Sequence, residues 1–382
     1  MHILIAPNAF KHSLDATAAA EAIREGLERS RLSGTYECFP IGDGGDGTGR
    51  LIMAKLQGRS IAWPVHDPLG RMIEASYGWI AERRLAIIEM ADASGLRLLC
   101  PDELDPLRAS SRGTGELVRA ALDQGAREFV IGVGGSATID GGVGLLQALG
   151  VRFLNDEGRE LKELPKDLVH LHSIDVSGLD QRVLQCQITV LCDVDNLLLG
   201  DRGAAAVFGP QKGATSQMVL RLEEGLRQLA LVIAGHSGRR LDTAAHGGAA
   251  GGTAAGLYGL LRAELVNGIE RFLDLTGFDT ALTNADRVIT GEGSIDEQTL
   301  NGKGPFGVAV RAKRRGIPVI GLAGRVPRIG GEALDNYFDG LFAIGDGPAD
   351  LASALAHAEE NLNRMGRQIG NMLTVNALDG LV

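Results

Sequence analysis

The sequence predicts an α/β protein in which a doubly wound parallel sheet forms one domain and a second α/β domain with a mixed sheet is inserted into it. At both ends of the chain, short apolar runs alternate with amphipathic helical patterns, which is typical of parallel sheets. Between them, two apolar runs within residues 75–90 flank a polar turn and indicate an antiparallel hairpin. We therefore expect residues 1–66 and 284–382 to form the first domain and residues 67–283 the inserted one.

Each element is predicted from its own pattern. Residues 3–6 form an apolar run that suits a buried strand, and Asp15 is placed to cap a helix with apolar residues at 19, 22, 23 and 27. The segment 241–259 is rich in glycine and alanine, which indicates either a loop or a close helix contact. The other patterns predict strands at 36–41, 75–80, 85–90, 129–133, 188–191, 287–290, 319–322 and 340–343, and helices from about 48 and at 117–122, 143–149, 217–234, 304–314 and 350–373.

Composition excludes several classes of protein. The 382 residues carry a formal net charge of −10, which argues against nucleic-acid and anionic-membrane partners, because both need a basic face. No run approaches the length of a membrane span, and the first residues lack the features of a signal peptide. The four cysteines have no C-x-x-C spacing. We therefore expect a cytoplasmic enzyme without structural disulfides.

Glycine-rich loops are the most informative feature. The chain has 54 glycines, and many lie in loops that also carry an acid, a lysine or a hydroxyl group. Glycine lets backbone N–H groups approach a ligand closely, and a loop that leads into a helix adds a positive helix N-terminus. Several such loops in one chain predict a polyanionic ligand and its acceptor, and therefore a phosphoryl-transfer enzyme. The Walker P-loop and the protein-kinase signatures are absent.

Two loops near the N-terminus carry candidate site residues. Lys11 and Ser13 follow the first strand and suit a phosphate or carboxylate anchor. The loop GDGGDGT that begins at Gly42 has the spacing of a dinucleotide fingerprint, but Asp43 and Asp46 would repel a pyrophosphate. These two carboxylates are better suited to hold a metal, a lysine or a substrate hydroxyl group.

Three later loops complete the candidate site. In GGSATIDGG, which begins at Gly134, backbone donors, hydroxyl groups and a helix N-terminus predict a phosphate cradle. In CDVDN, Asp193 and Asp195 follow a strand, and alternation would place both on one side, where they could hold Mg²⁺ or act as a general base and its orienting partner. The segment GEGSIDEQTLNGK supplies oxygen ligands and a lysine that suit a metal–nucleotide phosphate. The residues predicted in these loops are Gly134, Gly135, Ser136, Thr138, Asp193, Asp195, Glu292, Asp296, Thr299 and Lys303.

In fixed order over nearly the whole chain, these motifs resemble those of the glycerate kinase family of the bacterial glycerate-degrading type. Besides the loops above, the resemblance includes FKHSL at Phe10, DPLR at Asp105, RGTGEL at Arg112 and GAAAVFGPQKGA at Gly203. It implies ATP and Mg²⁺ as cofactors, D-glycerate as the small-molecule substrate, and phosphoglycerate as the product, usually the 2-phosphate. It also implies a Rossmann-like domain with an inserted domain and an active site in the cleft between the two.

On this resemblance, the candidate residues take specific roles. Lys11, with Arg108 or Arg112, would hold the glycerate carboxylate, and Asp193 would accept the proton of the attacking hydroxyl group while Asp195 orients it or the metal. GGSATIDGG and Lys303 would hold the nucleotide phosphates. Glu292 or Asp296 would assist a Mg²⁺ ion carried mainly by ATP. Asp43, Asp46 and Asp296 stay open as alternative bases.

The chain departs from the family pattern at three positions, which leaves alternatives open. Asn8 stands where the family usually has an acid, His12 where it has glycine, and Ile139 where it has asparagine. A kinase of a related small hydroxy acid and a catalytically silent ligand sensor therefore remain alternatives, as does a nicotinamide-dependent hydroxy-acid oxidoreductase, which would share the α/β sheet and glycine loops. The position of phosphorylation and the oligomeric state, with a homodimer as one option, are also open.

Overall fold

A computed structural model describes residues 1–327 and 332–378. Its strands in chain order are β1 His2–Ile5, β2 Thr35–Cys38, β3 Arg59–His66, β4 Met72–Ile80, β5 Leu85–Glu89, β6 Glu128–Gly132, β7 Arg152–Leu154, β8 Ser173–Asp175, β9 Gln187–Cys192, β10 Glu264–Asn267, β11 Arg287–Ser294, β12 Val319–Arg325 and β13 Gly340–Ala343.

The helices alternate with these strands along most of the chain. In chain order they are α1 Ala16–Glu28, α2 Thr48–Lys55, α3 Met90–Ser94, α4 Arg112–Gln124, α5 Val143–Ala148, α6 Ala204–Phe208, α7 Ser216–Ser237, α8 Thr253–Leu261, α9 Gly268–Thr276, α10 Phe278–Ala281, α11 Gly304–Arg314, α12 Glu332–Asp335, α13 Leu351–Ala356 and α14 Ala358–Leu378.

The chain divides into two compact units. Unit 1 comprises Met1–Asp43 and Ile269–Val382, and unit 2 comprises Gly44–Gly268. These boundaries lie earlier in the chain than those expected from sequence, because α2 and β3 belong to unit 2, where β3 pairs with β4 along its whole length. The sequence-based division itself stays a prediction about domain organisation.

Unit 1 contains a parallel sheet with the strand order β13-β12-β11-β1-β2. Its core contains Ile3, Ile5 and Ile289 from the strands and Ile23 and Leu27 from α1. The predicted cap of α1 is confirmed, since Asp15 accepts a hydrogen bond of 2.8 Å from the amide of Ala18. Because β1, β11 and β12 are parallel neighbours, the loop after β1 and the ends of β11 and β12 lie at the same edge of this sheet.

Unit 2 contains a mixed sheet with the order β10-β9-β6-β5-β4-β3 and a separate antiparallel pair, β7 and β8. Strands β5, β6, β9 and β10 are parallel, and the predicted hairpin is the antiparallel pair β4–β5. In the register, Glu89 of β5 pairs with Gly132 of β6, which in turn pairs with Leu191 of β9. The loops that follow β6 and β9 consequently start side by side.

The predicted fold class, a parallel α/β sheet with a second α/β unit of mixed sheet, is confirmed. One local expectation differs from the structure, and the structure refines two others. The single helix predicted at 350–373 is two helices, α13 and α14. The segment 241–259 ends in α8, and a methyl group at Gly256 would lie 2.1 Å from the carbonyl oxygen of Gly141, so the close-contact alternative applies there. The strand before CDVDN ends at Cys192, so Asp193 and Asp195 lie outside it.

Among the described residues, no helix is both long and apolar enough to cross a membrane.

Candidate active site

In unit 1, charged side chains from three loops surround Glu292. This residue lies in β11, is only 7% exposed, and accepts a hydrogen bond of 3.1 Å from the hydroxyl group of Thr299. Burial raises the pKa of its carboxyl group to about 7, while Lys303 and Lys11 oppose this rise and Asp43 adds to it. Three predicted site residues, Lys11, Asp43 and Lys303, thus lie within electrostatic range of a fourth, Glu292.

Asp43 is held by the residue that departs from the family pattern. The side-chain amide of Asn8 donates a hydrogen bond of 2.8 Å to the carboxylate of Asp43, and its oxygen accepts one from the amide of Ala9. Asn8 is only 7% exposed. An acid at this position would place a second carboxyl group against Asp43, so that one of the two would have to hold a proton. The amide avoids that repulsion and donates a hydrogen bond to Asp43 instead.

The other predicted residues of unit 1 are placed around this cluster. Ser13 donates a hydrogen bond of 2.7 Å to the carbonyl oxygen of Leu355, so its hydroxyl group contributes to the structure of the loop. The amide of Asp296 lies 3.2 Å from the Thr299 hydroxyl group, in the turn that positions Thr299 against Glu292. His12 has a φ of 66°, the left-handed region that glycine adopts most readily, as the sequence departure suggested.

In unit 2, two glycine-rich loops meet at the ends of β6 and β9. A methyl group at Gly134 would lie 2.5 Å from Cα of Gly45, and one at Gly44 would lie 3.0 Å from the carbonyl oxygen of Leu191. The part of GDGGDGT that belongs to unit 2 is therefore packed against GGSATIDGG and against the strand that leads to Asp193. Only glycine permits contacts this close. Asp46 lies in this group and forms an ion pair of 3.5 Å with Arg97.

Lys212, which the sequence did not single out as a site residue, lies beneath the GGSATIDGG loop. Its ammonium group donates hydrogen bonds of 2.8 Å to the Ser136 hydroxyl group and to the Thr138 carbonyl oxygen, and the residue is only 2% exposed. Burial lowers the pKa of Lys212 to about 7, against the opposing charges of Asp140 and Asp193. The only sequence signal for this lysine was the GPQKG loop, because its partners are 76 and 74 residues away along the chain.

The helix N-terminus of the GGSATIDGG loop does not have the role that the sequence predicted. Asp140 is completely buried, and its carboxylate accepts hydrogen bonds from the amides of Ser111, Gly142 and Gly144 at 2.8, 2.9 and 3.2 Å. The Asp140 carboxylate therefore already accepts the hydrogen bonds of the amides at the start of α5. An anion at this loop would have to bind on its Gly134–Ser136 side. The Thr138 hydroxyl group is buried and has no hydrogen-bond partner among the described residues.

The two acids of CDVDN differ in environment. Asp193 is half-buried, and its charge acts on both Lys212 and Cys192, raising the pKa of the already buried Cys192 thiol further. Asp195 is exposed and lies 3.7 Å from Arg202. Val194 packs against the core of unit 2. The two acids therefore differ in exposure, and their predicted placement on one side of the chain, opposite Val194, stays a prediction.

Within the described part of the chain, the two predicted arginines, Arg108 and Arg112, have no hydrogen bond or ion pair with the residues of these clusters. Arg112 begins α4, and its guanidinium donates a hydrogen bond of 3.0 Å to Glu116, which also binds His66. Arg108 is exposed on the preceding turn. Among the described residues no group of three or more histidine, cysteine or acidic side chains could hold a metal ion by itself.

Comparison with known proteins identifies the family. The model of the glycerate kinase family matches residues 3–374. This chain belongs to the glycerate kinase family. It is 45% identical to glycerate kinase of Bacillus subtilis strain 168, over 97% of each chain, and 41% identical to glycerate 2-kinase of Escherichia coli K12, over 98% of each.

A solved structure agrees with this. The crystal structure of a protein from Salmonella typhimurium LT2, described as a candidate glycerate kinase 2, superimposes with a TM-score of 0.84 at 43% identity and covers 99% of both chains. The resemblance read from the motifs and the expectation of an enzyme of this kinase family are therefore confirmed.

The third departure from the family pattern is accommodated by the core. Ile139 is completely buried in the hydrophobic core of unit 2. An asparagine there would bring a buried amide that needs hydrogen-bond partners, whereas isoleucine needs only contact. The substitution therefore changes the interior beneath the loop and places no new group on its surface.

Proposed function

We propose that this protein transfers the γ-phosphoryl group of Mg·ATP to D-glycerate and produces 2-phosphoglycerate and ADP. The observation that carries the proposal is the match to the glycerate kinase family over residues 3–374. Transfer to the 2-hydroxyl group is supported by the Escherichia coli relative, which is called glycerate 2-kinase and is 41% identical to this chain.

In unit 1, the proposed roles follow from charge. Lys11 and Lys303 supply positive charge beside a buried carboxyl group, and Lys303 immediately precedes α11. These groups would bind the phosphates and the glycerate carboxylate, with Ser13 and Asp43 in supporting contacts. Because phosphoryl transfer depends mainly on positioning and on stabilising charge, two lysines held in this way are the expected machinery.

In unit 2, Asp193 is the proposed general base for the attacking hydroxyl group. Lys212 lies near enough for its charge to interact with that of Asp193, and it holds Ser136 and the Thr138 carbonyl group in place, so it is a positioning residue. Gly134, Gly135 and Ser136 would contact phosphate on the side of the loop that Asp140 leaves unoccupied, while Thr138 supports them from beneath through its hydrogen bond with Lys212. Asp46 and Asp195 would bind substrate hydroxyl groups or orient the base, and Arg108 or Arg112 would assist with the carboxylate.

The acids of unit 1 fit a magnesium ion that reaches the protein with its nucleotide. Mg²⁺ is usually bound through one or two carboxylates together with substrate phosphates. Glu292 can serve in this way, with Asp296 or Asp43 as the second carboxylate, and the absence of a larger metal-binding cluster among the described residues agrees with that arrangement. When bound, the ion would neutralise charge on the phosphates.

Replacement of Asp193 tests the proposed base. Asp193→Asn should lower kcat by about 10²–10⁴-fold and change KM much less, because general-base help acts in the transition state. The control is Asp201→Asn, a change at an exposed acid nearby in the chain. ADP release should be measured at saturating Mg·ATP and D-glycerate. A fall of kcat in Asp193→Asn no larger than in the control would remove Asp193 from this role.

A kinase of a related small hydroxy acid is the second candidate, and the hydrogen bond between Asn8 and Asp43 favours it. An acid at position 8 could accept a hydrogen bond from a substrate hydroxyl group. The side-chain amide of Asn8 instead donates its hydrogen bond to Asp43. Comparing kcat/KM for D-glycerate with that for other three-carbon hydroxy acids separates the two candidates. A higher value for another acid would favour the second.

A further inference from the structure

A cavity of about 380 Å³ lies within unit 1 at the ends of its parallel strands. We name it the strand-end cavity. Its lining includes Lys11 from the loop after β1, Gly293 of β11, Gly324 of β12 and Ile344 after β13. In doubly wound sheets, ligands bind outside the carboxyl ends of the strands, so this cavity has the position that the fold provides for a small molecule.

The size of the strand-end cavity favours the larger of the two proposed substrates. Its volume lies within the range of about 300–1,000 Å³ that is usual for small-molecule pockets. D-glycerate has only three carbon atoms and would leave most of this space empty. ATP carries a base and a ribose that need a cavity of this kind.

The lining is both apolar and polar, as a nucleoside requires. Leu351, Leu355 and Ile344 supply apolar surface, while Asp346 and His357 supply polar groups. Gly324 also lies close to the neighbouring strand, since a methyl group there would lie 2.9 Å from the carbonyl oxygen of Gly293.

Lys11 connects the cavity to the charged cluster of unit 1. It lines the strand-end cavity and also acts electrostatically on Glu292, whose other neighbours include Lys303. A molecule in the cavity that reaches Lys11 therefore comes within range of positive charge suited to phosphate. This combination of an apolar cavity and an adjoining lysine fits a nucleoside attached to a polyphosphate.

We propose that the strand-end cavity binds the nucleoside part of ATP, with Lys11 at the start of the phosphate chain. This proposal rests on the proposed function, because the kinase reaction is what makes ATP the expected ligand. It adds the place in unit 1 where ATP binds. D-glycerate would then bind outside the strand-end cavity, within reach of Lys11 at the edge of that cavity.

Filling the cavity from an exposed position tests this. Ala354 lies on α13 and lines the cavity, whereas Ala352 lies on the same helix, is also exposed, and does not line it. Ala354→Trp should weaken ADP binding, measured by calorimetry without glycerate, by about tenfold or more, which is a loss of about 1.4 kcal/mol. Ala352→Trp should bind ADP as the unchanged protein does. Ala349→Trp, at an exposed position in the lining, is the second test variant if Ala354→Trp does not fold.

Steady-state kinetics then assigns the substrate. KM for ATP should rise in Ala354→Trp while KM for D-glycerate stays within about twofold, because only the donor would lose its contacts. Unchanged ADP binding, or a rise confined to KM for glycerate, would overturn the proposal. If the unchanged protein binds ADP but does not phosphorylate D-glycerate, the proposed function fails, while the ADP titrations of the variants still decide whether the cavity is a nucleotide site.

Discussion

The carboxyl group of Glu292 makes the stability of the protein depend on pH. Its pKa is raised from an ordinary value of 4.5 to about 7, chiefly by burial. Between these two pH values the folded state keeps a proton that the unfolded chain has lost, so the free energy of unfolding falls as pH rises through this window. Glu292→Gln removes this titration and should flatten the pH dependence between about 4.5 and 7.

The measurement is urea unfolding of both proteins without nucleotide at several pH values. The matched control is Glu163→Gln, which changes an exposed glutamate that is ion-paired with Lys166. A stability difference between Glu292→Gln and the unchanged protein that stays constant across the window would show that Glu292 is ionised throughout.

Lys212 should be needed to hold the GGSATIDGG loop in place. Lys212→Met keeps the apolar stem but leaves the Ser136 hydroxyl group and the Thr138 carbonyl oxygen without their buried donor, at a usual cost of about 1–3 kcal/mol. We expect the free energy of unfolding to fall by about that amount, and KM for the anionic substrates to rise because the loop is no longer held in its binding shape. Lys166→Met, at a surface lysine paired with Glu163, is the control. Kinetics like those of the control would show that the loop holds its shape without Lys212.

A side chain next to its own glycine loop can be proposed as a site residue from sequence alone, and its role then stays a prediction. Lys11 and Glu292 follow this pattern, and the structure brings them together. Lys212 and Asp140 were missed as site-building residues because their partners are distant in the chain, at Ser136 and Ser111. Without the fold, nothing shows that a lysine in GPQKG lies beneath another loop, or that Asp140 neutralises the helix that a phosphate was expected to use.

At the scale of the elements, helices α1 and α14 approach each other closely at a glycine of α1. A methyl group at Gly26 of α1 would lie 2.1 Å from the carbonyl oxygen of Asn363 in α14. Gly26→Ala should therefore destabilise the protein by about 1–3 kcal/mol, the usual cost of overpacking. Gly235→Ala, in α7, has no atom within 4 Å of the new methyl group and should stabilise by up to about 1 kcal/mol through helix propensity.

Denaturant unfolding of both variants measures these changes. Opposite signs are expected, although the two substitutions are chemically identical. A stabilised Gly26→Ala would mean that the two helices can separate slightly without loss.

Most elements of the fold could be predicted because their patterns are local. Buried parallel strands appear as short apolar runs, such as residues 3–6 and 129–133. Strand β3 was missed although residues 61–65 form an apolar run, because it lies at the edge of its sheet, is largely exposed and contains Pro64. Edge strands tolerate such residues because one side of their backbone is unpaired.

At the scale of the whole molecule, the sequence predicted two α/β parts but could not place their boundaries accurately. Strand β1 pairs with β11, from the other end of the chain, and this pairing makes unit 1 discontinuous. The alternation of strands and helices indicated such a return of the chain. It did not indicate that α2 and β3 belong to unit 2, because their contacts with β4 and β5 are tertiary.

The central claim is that this member of the glycerate kinase family phosphorylates D-glycerate at the 2-hydroxyl group. Phosphorus NMR of the protein with Mg·ATP and D-glycerate measures the loss of the γ-phosphate signal and the position of the new ester in one experiment. We expect ADP and 2-phosphoglycerate to form together in equal amounts, and only when glycerate is present. A 3-phosphate ester would contradict the proposed position, and no glycerate-dependent loss of ATP would contradict the proposed function.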